Sequence, residues 1–460
     1  MTCTTRGRQA GNVFIVFAIS LVMLVGAVGL AVDSGIGYLV RARLNAAADA
    51  AAVAGARAAT RGMNQAEQRS EAVTAATRFF LANYPPGYLG STRTLDGVTV
   101  RFDDPVPGRL AVDVDARAVV PVTFMQAMGF EKLDVVASAQ AIRKDVDMAF
   151  VVDTSGSMSG VANEVRRHAA GFLDRFSPTS DRVSLAHFAT GAEVDVPIRT
   201  GRMRGFDRAA LRAAIAGYRF SGFTNSAEGF WHGRDQLNRI APGDRSSLRV
   251  IVFFSDGSPN TVSSHFRLAG ATACGRAGSL TTDDGGAVGR PGGLWDPARQ
   301  DTVLPGSCFQ GSGIAGSLAE DGIPPWYNAH GIDDREFPLV TSLPRPVTSD
   351  TSTPQAAYVN INRAAKNLPE AMAARARAEG IRVFTLGLGS LLRNTTGPDA
   401  APDDTGENLL KCMANTDDAP ARCRAAGAAQ PRGTYCHAAT ADDLQPCFSM
   451  LASEILRLSR

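Results

Sequence analysis

A chain of 460 residues, 45% hydrophobic and 20% charged, has the composition of a folded protein of roughly two to four domains. Its 47 Lys and Arg against 45 Asp and Glu leave a formal net charge of +2, with the signs interspersed. That balance excludes a nucleic-acid footprint, which needs a concentrated basic face. The Arg clusters (Arg166 and Arg167; Arg202, Arg204, Arg208 and Arg212) read instead as solvated helix faces.

Arg6 and Arg8 precede twenty uncharged residues, Val13 to Val32. As a helix rising about 1.5 Å per residue, these span the roughly 30 Å hydrocarbon core of a bilayer. A cleaved signal peptide has a shorter apolar core, ~7–15 residues, and a small-residue cleavage site. The segment therefore predicts a retained anchor: a cytoplasmic tail at 1–12 and a single transmembrane helix at 13–32. Arg6 and Arg8 on one side and Arg41 and Arg43 on the other leave its orientation open by charge alone.

The cysteines settle the orientation. Six of the seven fall between Cys274 and Cys447, without any C-x-x-C or H-x-x-x-H pairing, and Cys436–His437 alone is too little for a zinc site. Cys274, Cys308, Cys412, Cys423, Cys436 and Cys447 read as three disulfides, among fifteen possible pairings, in an oxidising compartment. The C-terminal bulk then faces the periplasm or exterior from the inner (cytoplasmic) membrane. Cys3 stays reduced on the cytoplasmic side.

Residues 33–82 form an Ala-rich helical stalk, since alanine is the best helix former. The run Y-L-V-R-A-R-L-N-A-A-A-D-A-A-A-V-A-G-A serves equally as a plain stalk or as a surface for a neighbouring helix. Arg8, Gly11, the apolar span, G-L-A-V-D-S-G-I-G-Y-L-V-R-A-R-L and N-A-A-A-D-A-A-A-V-A-G-A together resemble the N-terminal segment of TadE/TadG-like tight-adherence (Flp) pilus-assembly proteins. The likeness covers about fifty residues and implies membrane anchoring and work among pilus-assembly components. The prepilin pattern, a Glu at the fifth position after a cleaved Gly, is absent: counted from Gly11 that position holds Val16.

Pro85 and Pro86 end the helical stretch. V-T-V-R-F, L-A-V-D-V-D-A and L-D-V-V-A-S-A-Q-A then alternate apolar and polar residues, the pattern of strands with one wet face. They give a small β-rich module at 83–143, a spacer by default.

From residue 144 to 460, strands and helices alternate. V-D-M-A-F-V-V-D, R-V-S-L-A-H-F, L-R-V-I-V-F-F-S-D-G and I-R-V-F-T-L-G-L-G are strands, separated by amphipathic helices. The fold class is α/β, with a mainly parallel sheet covered by helices. Ligands on such sheets bind at the carboxyl ends of the strands. There Asp153, Ser155 and Ser157 end the first strand, S-G-F-T-N offers Thr224 before a helix, and F-F-S-D-G-S offers Asp256. Two carboxylates and three hydroxyls are hard oxygen donors that suit octahedral Mg²⁺ or Mn²⁺ rather than zinc or copper. Waters fill part of such a shell, and one position stays open for a partner's carboxylate. The bland alternative is that these residues only cap helices and hold no ion. Ser159 and Asn225 read as supporting or capping residues.

The set Asp153, Ser155, Ser157, Thr224 and Asp256 resembles the metal-ion-dependent adhesion site (MIDAS) of the von Willebrand factor A domain. The resemblance implies a Rossmann-like A domain, hydroxyls that ligate directly, Asp residues acting mostly through water, and a protein ligand with an acidic side chain.

Residues 259–356 interrupt the alternation with Gly, Pro, Ser, Thr and Asp. Cys274 and Cys308 are expected to staple this insertion. Trp295, Phe309, Trp326 and Tyr327 either contact a partner, the favoured reading, or form a satellite core. Near the end, two disulfides among Cys412, Cys423, Cys436 and Cys447 are expected to tie the last loop to the terminal helix, which packs Phe448, Leu451, Ile455 and Leu458 on the sheet.

Enzymatic motifs are missing. Asp-Thr-Ser-Gly at 153–156 is displaced by one residue from the aspartic-protease pattern, and Ser155 stands where a haloacid-dehalogenase-type phosphotransferase needs a second Asp. No P-loop, S-x-x-K or G-x-S-x-G occurs. The sequence thus predicts a non-enzymatic, membrane-anchored pilus-assembly or cell-adhesion protein that binds a protein partner through a divalent ion. A structural envelope scaffold without a working metal site is the alternative, and a surface hydrolase the remote one.

Overall fold

The computed structural model describes residues 12–62, 64–102, 109–266, 277–282, 291–304, 322–331, 335–395, 397–398 and 403–459. They divide at Arg143–Lys144 into two units.

The first unit begins with helix α1, Asn12–Ala58. Its apolar beginning packs on little: Val13, Phe14, Ile15, Val16 and Phe17 are all more than half exposed. This helix is long and apolar enough to cross a membrane. Further along, Val40, Leu44, Ala47, Ala48, Ala51 and Ala52 are buried, a stripe at helical spacing. The chain then reverses through a short 3-10 turn, Ala59–Arg61, and Asn64 caps helix α2, Gln65–Asn83, by accepting the Glu67 N–H at 2.9 Å. Strands β1 (Thr92–Phe102), β2 (Arg109–Pro121) and β3 (Lys132–Lys144) form a sheet in that order, β1 antiparallel to β2. Val112, Val114, Ala116, Ala118 and Val120 of β2 share one core with the alanine stripe of α1 and with Ala72, Ala76 and Phe80 of α2. The sequence separates a stalk at 33–82 from a module at 83–143; here the two share a core. The alanines act as a close-packing surface, a role that composition does not distinguish from plain helix propensity.

Asp33 lies at the end of the apolar stretch. It is buried, and its carboxylate accepts the backbone N–H groups of Thr123, Phe124 and Met125 at 3.2, 2.8 and 2.7 Å. One turn earlier, any Cβ on Gly29 would lie 2.4 Å from Phe124 Cβ. These two residues seat the β2–β3 connection against α1. Asp33→Ala is expected to destabilise this seat, as loss of an anionic cap does. It should lower the melting midpoint of the detergent-solubilised chain and open residues 122–131 to protease; an unchanged cleavage pattern would count against this role.

The second unit is built on a six-stranded sheet. Its strands are β4 (Val146–Asp153), β5 (Arg182–Phe188), β6 (Ala192–Val196), β7 (Leu248–Ser255), β11 (Ile381–Leu388) and β12 (Tyr435–Ala438), in the order β12-β11-β7-β4-β5-β6. All pairings are parallel except β5 with β6. Every residue of β4 and β7 is buried, which is why both read as unbroken apolar runs. One face carries α3 (Ala162–Leu173), α4 (Arg208–Ala216) and α9 (Leu444–Leu458), packed on Met148, Phe150 and Val152. The other carries α5 (Ser226–Asn238), α6 (Pro354–Ala378) and α7 (Gly406–Ala414), packed on Ala149 and Val151. The chain leaves β4 toward β5 but leaves β7 toward β11, on the opposite side. A crevice therefore opens at the carboxyl ends of β4 and β7.

The insertion is more structured than its composition suggests. Strands β8 (Thr261–Ser264), β9 (Gly278–Thr282) and β10 (Pro291–Trp295) form a small antiparallel sheet. Val262, Phe266, Leu280, Leu294, Ile323, Tyr327, Phe337 and Val347 join the same core as α5 and α6. The sequence favours partner contact for the insertion's aromatics. Tyr327 corrects it, being fully buried, while Trp295 and Trp326 are half-buried and Phe309 lies outside the described residues. Helix α6 turns Asn360, Asn362, Lys366 and Asn367 inward. Lys366 meets Asp404 at 3.0 Å and Asn367 donates to the Arg345 carbonyl at 2.8 Å, so the buried face is polar and hides the helical period.

Cys436–Cys447 ties β12 to α9, as expected of the last loop, whereas Cys412–Cys423 joins α7 to the short helix α8 (Ala421–Gly427). Cys274 and Cys308 lie outside the described residues. Phe448, Leu451 and Ile455 of α9 are buried on the sheet, and Leu458 is partly buried beside them.

Candidate metal centre

Asp153 closes β4 at zero exposure. Its Oδ1 accepts the Ser155 N–H at 2.8 Å and its Oδ2 accepts the Ser255 hydroxyl at 2.6 Å. Ser155 Oγ lies 3.1 Å from Ser157 Oγ, and the Ser157 hydroxyl donates to Asp256 Oδ1 at 2.9 Å. Asp153, Ser155, Ser157 and Asp256 thus form one continuous polar chain across the ends of β4 and β7. Its outer member, Ser157, is exposed, so the chain opens to solvent.

Thr224 is held through its backbone by Asn260, outside that chain. Its N–H donates to Asn260 Oδ1 at 2.9 Å, and its carbonyl accepts the Asn260 N–H at 3.0 Å. The Gly156 N–H donates to the Gly222 carbonyl at 3.1 Å, which holds the S-G-F-T-N loop against the first one. Gly222 has φ +86°, and a Cβ there would lie 2.5 Å from Thr190 Oγ1, so only glycine fits this approach. Asn225 caps α5 by accepting the Glu228 N–H at 3.3 Å, the capping role read from its position. Ser255 and Asn260 escape sequence reading. Ser255 carries a faint signal as the residue before Asp256; Asn260 carries none.

The electrostatics are strained in one direction. Burial pushes the Asp153 carboxyl up from 3.8 to about 6, against the lowering effect of its hydrogen bonds from Ser155 and Ser255. Burial, and then the charge of Asp153, pushes Asp256 up to about 7. Among the described residues no Lys, Arg or His pairs with either carboxylate. Two desolvated acids without a cation, beside hydroxyl oxygens and open to solvent on one side, fit a hard divalent ion. The chemistry of the donor set is all oxygen.

The raised values have a pH consequence. Between pH 4 and 7 the folded chain holds protons on these carboxyls that the unfolded chain has released, so this contribution to stability falls as pH rises through that window. In EDTA the melting midpoint is expected to drop from pH 5 to pH 8. Mg²⁺ should raise it more at pH 8, where both acids are ionised. An equal Mg²⁺ increment at both pH values would contradict this.

Residues 147–274 match the von Willebrand factor type A domain family. The second unit carries a von Willebrand factor A domain. Residues 11–58, which run through Asp33 and the alanine stripe, match the Flp pilus-assembly TadE/G-like family. The chain therefore combines a TadE/G-like segment with an A domain, the pairing of the two sequence resemblances. A comparison with curated proteins returns no match. Similar solved structures include the pilus adhesin SpaC from Lactobacillus rhamnosus GG, at 17% identity over 80% of this chain and 34% of that chain, TM-score 0.37. This chain thus spans about a third of the SpaC chain. The PilB minor pilin from Streptococcus sanguinis aligns at 13% identity over 81% of this chain and 80% of that one, TM-score 0.38. The von Willebrand domain of the type V pili tip protein Mfa5 from Porphyromonas gingivalis aligns at 16% identity over 70% and 98%, TM-score 0.37.

Proposed function

We propose that this chain is a membrane-anchored pilus-assembly or adhesion protein whose A domain binds a protein partner through Mg²⁺ or Mn²⁺, without enzymatic turnover. The observation that carries the reading is the polar chain Asp153–Ser155–Ser157–Asp256, with both carboxylates buried, Ser157 exposed, and the whole set in the crevice between β4 and β7. Ser155, Ser157 and Thr224 would supply hydroxyl ligands, with Asp153 and Asp256 neutralising the charge. A bound ion would supply the positive charge and the open coordination position that a partner's carboxylate requires. Without it, the two Asp residues repel an acidic partner. Helix α1 would hold the chain in the inner membrane as a single-pass anchor. The A domain would face the periplasm or exterior, where Cys412–Cys423 and Cys436–Cys447 persist.

The detergent-solubilised full chain serves as bait in envelope extracts from its source cells, with Mg²⁺ or with EDTA. Capture of a pilus component is expected in Mg²⁺ only, and not by Ser155→Ala with Asp256→Ala. Capture that survives both EDTA and the double substitution would sink the metal-adhesion mechanism and favour a rigid scaffold.

A further inference from the structure

A second donor cluster lies on α5, built from residues separate from the oxygen site. Glu228 and His232 are four residues apart and so share one helix face. Glu228 is completely buried. Its Oε1 accepts the Tyr327 hydroxyl at 2.6 Å, and its Oε2 lies 2.8 Å from His330 Nε2. His232 Nε2 is buried with no hydrogen-bond partner. The two imidazole rings sit 5.3 Å apart at 78°, and one ligand atom from each of the three residues lies within 4.8 Å of the other two. Trp231 stacks on His330 with ring centroids 3.4 Å apart and planes inclined by 8°, which fixes the ring from its other side.

We propose that Glu228, His232 and His330 form a Zn²⁺ site that clamps the inserted segment 322–331 onto α5. Two imidazoles and one carboxylate are a recurrent zinc donor set, with bonds of about 2.0–2.1 Å. Tetrahedral geometry at those lengths places donors about 3.3 Å apart, between the 2.8 Å contact and the 4.8 Å limit of this cluster. Tyr327 plays the outer part, a hydrogen bond that orients the ligating carboxylate. The His330 side chain is 21% exposed, which leaves a side on which water completes the shell. A Glu228–His330 ion pair alone accounts for two of the three residues and leaves His232 Nε2 buried and unused. Sequence inspection passes over the site because it searches for paired His or Cys, whereas here a Glu-x-x-x-His joins a His 98 residues further on, by the difference of 330 and 232.

The test uses the full chain in detergent, purified through a histidine-free tag, stripped of metal and kept in excess Mg²⁺ so that the oxygen site is satisfied. Zn²⁺ is titrated, bound metal is counted, and Co²⁺ replaces it for a visible spectrum. Wild type and Asp153→Ala are expected to bind one equivalent of Zn²⁺ and to give the strong visible bands of four-coordinate cobalt. His232→Ala and His330→Ala should bind none and lose the bands. The His330 substitution sits at the partly exposed edge, so it reports even if His232→Ala fails to fold. Absence of stoichiometric Zn²⁺ in wild type, uptake by the folded His variants that equals wild type, or loss in Asp153→Ala would each overturn the clamp.

Discussion

Asp153→Ala removes the response of the A domain to Mg²⁺ and Mn²⁺. Both oxygens of this carboxylate are engaged, one by the Ser155 N–H and one by the Ser255 hydroxyl, and these bonds align the whole polar chain. Its loss takes away a charge and the alignment together. The affinity for the ion should fall by about 100-fold or more, the upper range for losing a partner that orients metal ligands. A stability readout separates this from misfolding. Burial disfavours the charged form of Asp153, so in EDTA at pH 8 the variant should melt no lower than the parent. Added Mg²⁺ should then raise the parent alone. A variant that still shifts with Mg²⁺ would place the ion elsewhere.

Asp147→Ala has the opposite signature: a large loss of stability with the metal response intact. Asp147 is fully buried near the amino end of β4. It accepts Arg182 at 3.3 Å, Arg204 at 2.7 Å and the Ser246 N–H at 2.6 Å. Arg182 is only 1% exposed and also donates to the carbonyls of Asp244 and Gly201. Removing the carboxylate leaves a buried guanidinium without its counter-charge, a change that costs about 3–5 kcal/mol. Asp153 lies six residues further along the same strand, roughly 20 Å away at the usual rise. Urea unfolding should show the loss, while the folded fraction keeps the parent's Mg²⁺ affinity. A loss below about 1 kcal/mol would mean that the arginines find water or other partners, as exposed pairs do.

Much of the sheet is legible in the sequence. Strands β4, β5, β7 and β11 lie in the middle of the sheet, covered on both faces, and a continuous apolar run is the direct imprint of that burial. Asp153, Ser155, Ser157 and Asp256 are legible too, because polar residues placed where such a run stops must face the carboxyl edge. The supports are not. Whether Ser255 donates to Asp153, or Asn260 clasps Thr224, depends on which loops meet, and strand order decides that. Helix α6 hides behind buried Asn360, Asn362 and Lys366, whose partners offset an inward polar face. Nothing near Glu228 in the sequence marks its burial, since its partner Tyr327 is 99 positions away. The alanine stripe of α1 announces a helix but not the sheet it packs against.

Mn²⁺ titration of the full chain in detergent, followed by electron paramagnetic resonance, decides whether the ends of β4 and β7 hold a divalent ion. One saturable Mn²⁺ per chain is expected, displaced by Mg²⁺ and absent in Ser155→Ala with Asp256→Ala. Mn²⁺ that stays free throughout, or binds the parent and the double variant alike, would contradict it.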